Sequence, residues 1–392
     1  MAGWNLNKWS YIPGRMRLPG LNPARIIASI VTEPTRYRFC SLTFPDYICR
    51  IRTDFGNMRA GEFTGVKRLF ALIIAMISIV SCAAAENELV MKSLGQGIML
   101  IDGENRMVED AGAVCSPDKM KKMVNGLNAV IDSLGETCPP IYLYLVESSR
   151  SHQIASEFDE DSPAYIYLKE NLHADVFDHL KYSTYEQFCD YFYTTDHHWN
   201  YKGSYQGYKD IVGMLLGQEE EILVPADVFV CKQIFNGSYA QRTKKAISKE
   251  QFAFYRFDPW PEYTAYSSVA AVKSGKKYPY SHFNNYLKGD IKNGKYANHY
   301  AQCYGGDAGY LIFKSNAHED RVLLLIGNSL SNAVKTLLTA HYGTIVYVDL
   351  RSYKSRAGKE FSFKNVVEQF EVTQVLFLGD VNLFIYGDIP RT

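Results

Sequence analysis

The stretch VLLLIGNSL, residues Val322 to Leu330, decides the fold class of this 392-residue chain. Its first five residues form a continuous apolar run, which is typical of a strand buried on both faces of a sheet. Helical and strand patterns then alternate to the end of the chain: a helix over 330–341, a strand over 344–350 (TIVYVDL), a helix over 363–370 and a strand over 372–378 (VTQVLFL). This alternation predicts right-handed βαβ crossovers and a parallel sheet.

The upstream half shows the same pattern less regularly. Ser116 and Pro117 are good helix-start residues, and the helix should stop at Gly135. A buried strand follows over 141–146 (IYLYLV) and ends in the polar run 147–150 (ESSR), at the edge where open α/β sheets bind ligands. Further patterns predict a strand over 97–102, a helix over 202–216 and an irregular insertion of loops and short strands over 217–319. The fold class is therefore α/β with a mostly parallel sheet.

A secretory signal is predicted at residues 66–85, because a short basic region precedes twelve apolar residues and a zone of small residues. The apolar run is too short to span ~30 Å of hydrocarbon comfortably. Ala83 to Ala85 fit one kind of cleavage site, whereas the sequence IVSC, residues Ile79 to Cys82, resembles a lipoprotein site. The sequence thus predicts an extracytoplasmic domain from residue 86 onward, either secreted or tethered to a membrane by lipidated Cys82.

Residues 1–65 precede this signal and are a doubtful N-terminal extension. They lack clear periodicity and are rich in Arg, Pro and Gly. Since signals begin at a start codon, we expect an unstructured, over-extended reading frame with translation starting near Met58 or Val66. The alternative is an extension that turns the signal into an internal anchor.

The composition excludes several classes of function. Forty-two basic residues balance forty-two acidic ones, so nothing favours binding to nucleic acid or to an anionic membrane surface. The cysteines beyond the signal are spread singly, which argues against a zinc ribbon or a disulfide-dense scaffold. Tyrosine is abundant at 29 residues, and its flat ring with a hydroxyl suits sugar surfaces, although most of these rings should pack in the core.

Ser329 follows the first strand of the carboxyl-terminal half at a tight strand-to-helix turn. Its hydroxyl should be exposed above the sheet edge, and the following helix start offers N–H groups for an oxyanion. Ser329 is therefore a candidate nucleophile. Two alternatives remain open: Ser329 caps the helix, or Ser331 is the functional hydroxyl.

The second candidate motif is TTDHHWNYKGS, residues 194–204. A serine nucleophile needs a base and a carboxylate that orients it, and His198 and Asp196 would supply both if the chain turned them to one side. His197 is then a packing or supporting residue and Trp199 a wall of the pocket. A metal site of Asp196, His197 and His198 is the weaker reading, because adjacent histidines diverge in most backbone conformations; His152, His173 and His179 would be distant ligands. The motif can also be a packed helix start.

The two motifs together resemble the DHHW protein family. D-H-H-W is followed by N-x-K-G and, about 130 residues later, by a strand, G-N-S and a helix. DHHW proteins look like relatives of the SGNH-hydrolase-like proteins that work with membrane-bound O-acyltransferases, such as the accessory proteins of alginate O-acetylation. The resemblance spans about 97–383 and implies a three-layer, flavodoxin-like α/β domain. In this resemblance, Asp196 and His198 match the D-x-H pair of the family and Ser329 matches the serine of its G-D-S motif. Asn328 stands where the family usually has aspartate.

The resemblance also implies substrate-binding positions and a function. By this resemblance, Asn328 and Asn382 are candidates for binding the oxyanion or substrate, although Asn382 can also belong to a polar turn. Arg351 is a candidate for a different reason: it ends a strand at the same sheet edge, where it would hold a substrate hydroxyl or carboxylate or form a surface ion pair. The implied function is acetyl transfer or ester hydrolysis on a cell-surface polysaccharide, without a cofactor and with a membrane-bound O-acyltransferase as partner. The rivals are a non-catalytic carbohydrate-binding protein and a metal-dependent hydrolase.

Overall fold

The computed structural model of the chain describes residues 89–101, 103–110, 116–151, 161–280 and 294–391. The predicted extension at 1–65, the signal at 66–85 with Cys82, and His152 lie outside these residues. Residues Leu89–Thr392 form one compact unit. None of its described helices is both long enough and apolar enough to cross a bilayer.

A seven-stranded sheet forms the centre of this unit. Its strands are β4 (Ile141–Leu145), β5 (Val176–His179), β8 (Thr264–Tyr266), β9 (Tyr310–Lys314), β10 (Val322–Gly327), β11 (Thr344–Val348) and β12 (Gln374–Gly379), in the spatial order β5-β4-β12-β10-β11-β9-β8. The five strands from β5 to β11 are parallel, whereas β9 and β8 are antiparallel to their neighbours. The predicted α/β class with a mostly parallel sheet is confirmed.

Helices cover both faces of the sheet, giving three layers. One face carries α1 (Pro117–Leu134), α2 (Pro163–Asn171), α8 (Tyr353–Ala357) and α9 (Phe363–Phe370). The other carries α3 (Tyr185–Tyr191), α4 (Tyr201–Leu216) and α7 (His299–Tyr304). Because side chains alternate along a strand, Leu323 and Leu325 of β10 pack in one core and Leu324 and Ile326 in the other.

Two smaller sheets complete the unit. Strands β1 (Met91–Gly95), β2 (Ile98–Ile101) and β3 (Arg106–Glu109) form an antiparallel meander that packs on α5 (Ser238–Thr243). Strands β6 (Asp227–Ile234) and β7 (Gln251–Arg256) form a two-stranded antiparallel sheet. Helix α6 (Val269–Ser274) follows β8. The region predicted as an irregular insertion therefore contains regular elements, and two of its strands, β8 and β9, extend the central sheet.

The predicted helix over 330–341 is wrong. The segment contains two short 3-10 turns, Ser329–Ala333 and Leu338–Ala340, with mixed turns between them. Hydroxyl groups compete for its backbone carbonyls: Ser331 Oγ donates to Asn328 O (2.6 Å) and Thr339 Oγ1 to Thr336 O (2.6 Å). Such local bonds offer the backbone an alternative to the regular helical ladder. The remaining predicted elements agree with the structure to within two residues at the ends that it describes.

Candidate active site

The site lies at the carboxyl edge of the parallel strands, where three consecutive neighbours end in polar residues. Ser329 follows β10, Asp380 follows β12, and Arg150 lies shortly after β4. These strands are adjacent and parallel, so their carboxyl ends meet at one edge. Ser329 is half-buried and begins the first 3-10 turn. The serine therefore lies in a turn at the strand end, as predicted, but it is half-buried rather than exposed, and a 3-10 turn follows rather than an α-helix.

The DHHW segment folds into a closed loop between α3 and α4. Phe192 and Trp199 form an antiparallel bridge across its neck, and the N–H of Asn200 donates to Tyr191 O (2.7 Å). The carboxamide of Asn200 then caps α4 by accepting from the N–H groups of Lys202 and Gly203. The loop thus has a fixed entrance and exit, and its side chains are held by the start of α4.

A buried arginine from β3 supports the same loop. The guanidinium of Arg106 donates to the carbonyl oxygens of Phe192 (3.3 Å), Tyr193 (3.2 Å) and Cys189 (3.2 Å). In addition, the N–H of Met107 donates to Thr194 O (2.8 Å). The meander therefore satisfies the carbonyl groups that the loop leaves unpaired.

Asp196, His198 and Ser329 form a continuous hydrogen-bonded chain. His198 Nδ1 lies 2.5 Å from Asp196 Oδ1, and His198 Nε2 lies 2.9 Å from Ser329 Oγ. Asp196 Oδ1 also accepts the backbone N–H of His198 (2.9 Å), so one carboxylate oxygen fixes both the turn and the ring. A carboxylate on Nδ1 selects the tautomer in which Nδ1 carries the proton and Nε2 is free to accept one.

The second oxygen of Asp196 is held by the loop that precedes α5. Ser238 donates its backbone N–H to Asp196 Oδ2 (2.5 Å). Gly237 allows this approach, since a Cβ there would lie 2.3 Å from the carboxylate. Burial alone would raise the pKa of Asp196, but His198, His197 and the hydrogen bonds from His198 and Ser238 outweigh it and lower the pKa below its usual value. Asp196 is therefore an anion at any working pH.

His197 packs against His198, with the ring planes tilted by 36°, rather than diverging from it. The ring centroids are 3.8 Å apart, and His197 Nδ1 lies 2.7 Å from Ser238 Oγ. Burial, His198 and Arg150 lower the pKa of His197 well below its usual value, so this ring is neutral. The reason given against a metal site, that adjacent histidines diverge, does not hold for this loop: a ligand atom from each of Asp196, His197 and His198 lies within 4.8 Å of the others. Both Nδ1 atoms already have hydrogen-bond partners in the described structure.

Of the distant histidines, the two that the structure describes do not join this cluster. His173 contacts Asp132 (2.8 Å) on the exposed surface, and His179 contacts Asp161 (3.1 Å). Ser331, the alternative hydroxyl, is fully buried and already donates to Asn328 O. Ser329 is thus the serine of this turn that reaches the imidazole.

Trp199 is a core residue, which corrects its predicted place in a pocket wall. Its side chain is 0% exposed, and its Nε1–H donates to Leu330 O (3.1 Å). The ring packs on α4 at Gly207, where a Cβ would come within 2.4 Å of the indole. The loop turns its largest apolar side chain inward, because burying that area stabilises the loop more than exposing it. Trp199 thereby ties the DHHW loop to the turn that carries Ser329.

Asn328 is fixed by the polar residues that follow β12. Its Oδ1 accepts the N–H of Leu330 (3.1 Å), and its Nδ2 donates to Asp380 Oδ1 (2.8 Å). Asp380 Oδ1 also accepts the N–H of Asn382 (3.2 Å). Asn382 is 8% exposed, and its Oδ1 has no hydrogen-bond partner within the described part of the chain. Asn328 thus fixes the turn that carries Ser329, and Asn382 Oδ1 is available for a further hydrogen bond.

Two arginines near the site are held by buried acids. Arg150 donates to Asp380 Oδ2 (2.7 Å) and also pairs with Glu109. Arg351 binds Asp349 through Nε (2.9 Å) and Nη2 (2.6 Å), and its side chain is 28% exposed. Arg351 therefore forms the anticipated ion pair, and the pair is partly buried rather than on the surface. Both guanidinium groups act electrostatically on His197.

Comparisons with known proteins bear on the fold. No family model and no curated protein matches the chain. A solved DHHW family protein from Eubacterium siraeum superposes with a TM-score of 0.56 at 16% identity, over 75% of this chain and 94% of that chain. The chain shares the DHHW fold.

Bacillus cereus PatB1, solved with a sulfonyl adduct, shares this fold at a TM-score of 0.55 and 19% identity, over 75% of this chain and 98% of PatB1. A second PatB1 structure gives a TM-score of 0.51 at 19% identity, over 77% of this chain and 98% of that chain. The predicted resemblance to DHHW proteins is confirmed as a likeness of fold. In each case the match spans almost the whole of the solved chain.

Several residues of the site were not found from the sequence. Arg106, Gly237 and Ser238 support the DHHW loop from elements far away in the chain, and Tyr300 contacts His198. Only Arg150 gave a signal, as the last residue of a polar run at a strand end. The others lie in segments without a recognisable motif, so only the tertiary structure relates them to the site.

Proposed function

We propose that this protein transfers or hydrolyses an acyl group, most simply acetyl, through Ser329, His198 and Asp196. The observation that supports the proposal best is the continuous chain of contacts from Asp196 Oδ1 to His198 Nδ1 (2.5 Å) and from His198 Nε2 to Ser329 Oγ (2.9 Å). A serine, a base and an orienting carboxylate in this arrangement perform acyl transfer on many unrelated folds.

In the first half-reaction, Ser329 Oγ attacks the acyl carbon while His198 Nε2 takes its proton. The tetrahedral intermediate collapses as the imidazolium returns that proton to the leaving oxygen, which leaves an ester on Ser329. In the second half-reaction, His198 removes a proton from an acceptor hydroxyl, which attacks the ester carbon. The imidazolium then returns this proton to Ser329 Oγ as the bond between Oγ and the acyl carbon breaks, which restores both side chains. A sugar hydroxyl as acceptor gives a transferase, and water gives an esterase.

The intermediate's negative charge needs hydrogen-bond donors beside Ser329. The backbone N–H of Ser329, at the first position of the 3-10 turn, and the carboxamide of Asn382 are the proposed donors. Loss of one such donor typically lowers the rate about 100- to 1000-fold. Asn328 supports the turn through its Oδ1 and Nδ2 bonds instead of facing the oxyanion. The partly exposed guanidinium of Arg351 is the proposed contact for a substrate hydroxyl or carboxylate.

The proposed acceptor is a cell-surface polysaccharide, and the proposed place is outside the cytoplasm. The signal pattern at 66–85 and the resemblance to polysaccharide O-acetylation proteins support this location and a membrane-bound O-acyltransferase as acyl donor. The chain has 42 acidic and 42 basic residues and therefore no formal net charge, which agrees with a sugar substrate recognised by shape and hydrogen bonds. No cofactor takes part in the proposed reaction.

The proposal is tested by acetyl-ester turnover in the presence and absence of an oligosaccharide acceptor. The wild-type protein should release the chromophore, and the appearance of acetylated sugar or of free acetate distinguishes transferase from esterase. Ser329→Ala and His198→Ala should each lower kcat/KM by about 1000-fold or more. Ser355→Ala and His173→Ala, at exposed positions outside the site, are the matched controls and should stay within about twofold of wild type.

Two results would refute the triad. Turnover that survives Ser329→Ala but disappears with a chelator would assign the chemistry to a metal held by Asp196, His197 and His198. Tight sugar binding without turnover of any ester would assign a non-catalytic binding role.

A further inference from the structure

Tyr300 on helix α7 contacts both halves of the proposed site, although no sequence motif includes it. Its ring lies against the His198 ring with centroids 3.7 Å apart and planes at 11°. Its hydroxyl lies 3.2 Å from Ser329 O and 3.2 Å from Leu330 O, and donates to these two carbonyl groups. The side chain is 1% exposed. One buried tyrosine thus joins the proposed base to the turn of the proposed nucleophile.

The ring contact restricts rotation of the His198 imidazole. Asp196 bonds the edge of this ring at Nδ1, whereas Tyr300 covers one of its faces. Asp196 fixes one ring atom, which leaves rotation about that bond, and the stacked phenol removes this freedom. The face of an aromatic ring carries negative charge, so it also stabilises the imidazolium that forms when Nε2 takes a proton. His197 covers His198 as well, with ring centroids 3.8 Å apart.

The hydroxyl contact fixes the turn itself. Burial raises the pKa of Tyr300 well above its usual value, so the phenol stays protonated and remains a donor. Leu330 O also accepts the indole N–H of Trp199 (3.1 Å), whereas Ser329 O is bound through the phenol. The main chain that follows the Ser329 side chain is therefore held by groups from α7 and the DHHW loop.

We propose that Tyr300 is a positioning residue that sets the distance between the His198 imidazole and the Ser329 hydroxyl. This inference rests on the proposed function. It adds to the triad a residue that touches the base and the nucleophile's backbone but not the substrate. Tyr300→Phe separates the two contacts, because it keeps the ring on His198 and removes the hydroxyl. Tyr300→Leu removes both.

The test combines two measurements on the purified protein. The first is the rate at which a serine-directed phosphonate labels Ser329. The second is the strongly downfield proton resonance that a histidine Nδ1–H bonded to a carboxylate gives in NMR spectra, which reports the Asp196 to His198 contact without any reaction. The matched control is Tyr304→Leu: this buried tyrosine lies on the same helix, with its ring 4.9 Å from that of Tyr300.

Tyr300→Phe should keep the downfield resonance and label about tenfold more slowly, as expected for a lost hydrogen bond. Tyr300→Leu should lose the resonance and label about 100-fold more slowly, because the stacking contact is lost as well. Tyr304→Leu should resemble wild type in both readouts. The inference is overturned if Tyr300→Leu stays within twofold of wild type and keeps the resonance, or if Tyr304→Leu has the same effect. If the wild type is not labelled at all but the resonance behaves as described, the positioning role stands and the proposed function fails.

Discussion

The substitution Asn328→Asp places two carboxylates within one hydrogen bond of each other beneath the proposed nucleophile. In the wild type, Asn328 Nδ2 donates to Asp380 Oδ1 over 2.8 Å, and both side chains are almost completely buried, at 2% and 0% exposure. The family that this chain resembles usually has aspartate at position 328. In this protein asparagine fits position 328, because the side chain that it contacts, Asp380, is already an acid and accepts a hydrogen bond from the Asn328 amide.

The size of the effect follows from this distance. Two unit charges about 3 Å apart repel by about 5 kcal/mol at an effective dielectric constant of ~20. Arg150, which donates to Asp380 Oδ2 over 2.7 Å, offsets part of this repulsion, and a bound proton can remove the rest. We expect Asn328→Asp to lower the free energy of unfolding by about 2–4 kcal/mol at pH 8. The folded variant retains a proton that the unfolded chain releases, so its stability falls as the pH rises and the loss is smaller at pH 5.

Urea unfolding of four proteins at pH 5 and pH 8 measures this effect: wild type, Asn328→Asp, Asp380→Asn and the double variant that exchanges the two residues. The double variant restores one amide and one carboxylate, so it should recover at least half of the stability that Asn328→Asp loses at pH 8. The reasoning is refuted if Asn328→Asp is as stable as wild type at pH 8, or if the exchange recovers nothing.

Three further predictions concern the surroundings of the site. Gly237→Ala should slow serine labelling at least about tenfold, because its Cβ would lie 2.3 Å from the Asp196 side chain and would displace the carboxylate; an unchanged labelling rate would contradict the described approach. Arg106→Met should lower the free energy of unfolding by about 2–4 kcal/mol in urea, since two carbonyl groups of the DHHW loop and one of α3 lose a charged donor. Lys335→Met should stabilise the protein, because Lys335 is fully buried and burial lowers its pKa to about 7. Between about pH 7 and 10, Lys335 is protonated in the unfolded chain but neutral in the folded protein, so the stability of the wild type rises with pH across that window. The gain in stability from Lys335→Met should therefore be larger at pH 6.5 than at pH 9.5.

Four of the five parallel strands were predictable because they are buried on both faces, whereas β5, a partly exposed strand at the edge of the sheet, was not predicted. The apolar runs that contain β4, β10, β11 and β12 have no competing pattern, and their order in the chain implies the crossovers. Antiparallel β8 and β9 were not predicted as sheet strands. They come from a tyrosine-rich region in which polar and aromatic residues conceal the alternation, and their register depends on β11, which lies elsewhere in the sequence.

The site was predictable only where neighbouring residues define it. Asp196 and His198 are two residues apart, and the side chain of Asp196 accepts the backbone N–H of His198, so a local turn brings the pair together. The places of Trp199 and Tyr300 depend on packing between distant segments, which local patterns do not contain. The 3-10 geometry after Ser329 likewise results from buried hydroxyl groups that bond to the backbone, whereas helical periodicity alone favoured an α-helix.

Mass spectrometry after treatment with an aryl sulfonyl fluoride tests the central claim most directly. A serine activated by His198 should displace fluoride, and the sulfonyl group should be found on the peptide that contains Ser329 and on no other serine peptide. The adduct should be absent from Ser329→Ala and should form at least about 100-fold more slowly in His198→Ala. An unmodified Ser329 in the wild type, or equal labelling in His198→Ala, would contradict the proposed nucleophile and base.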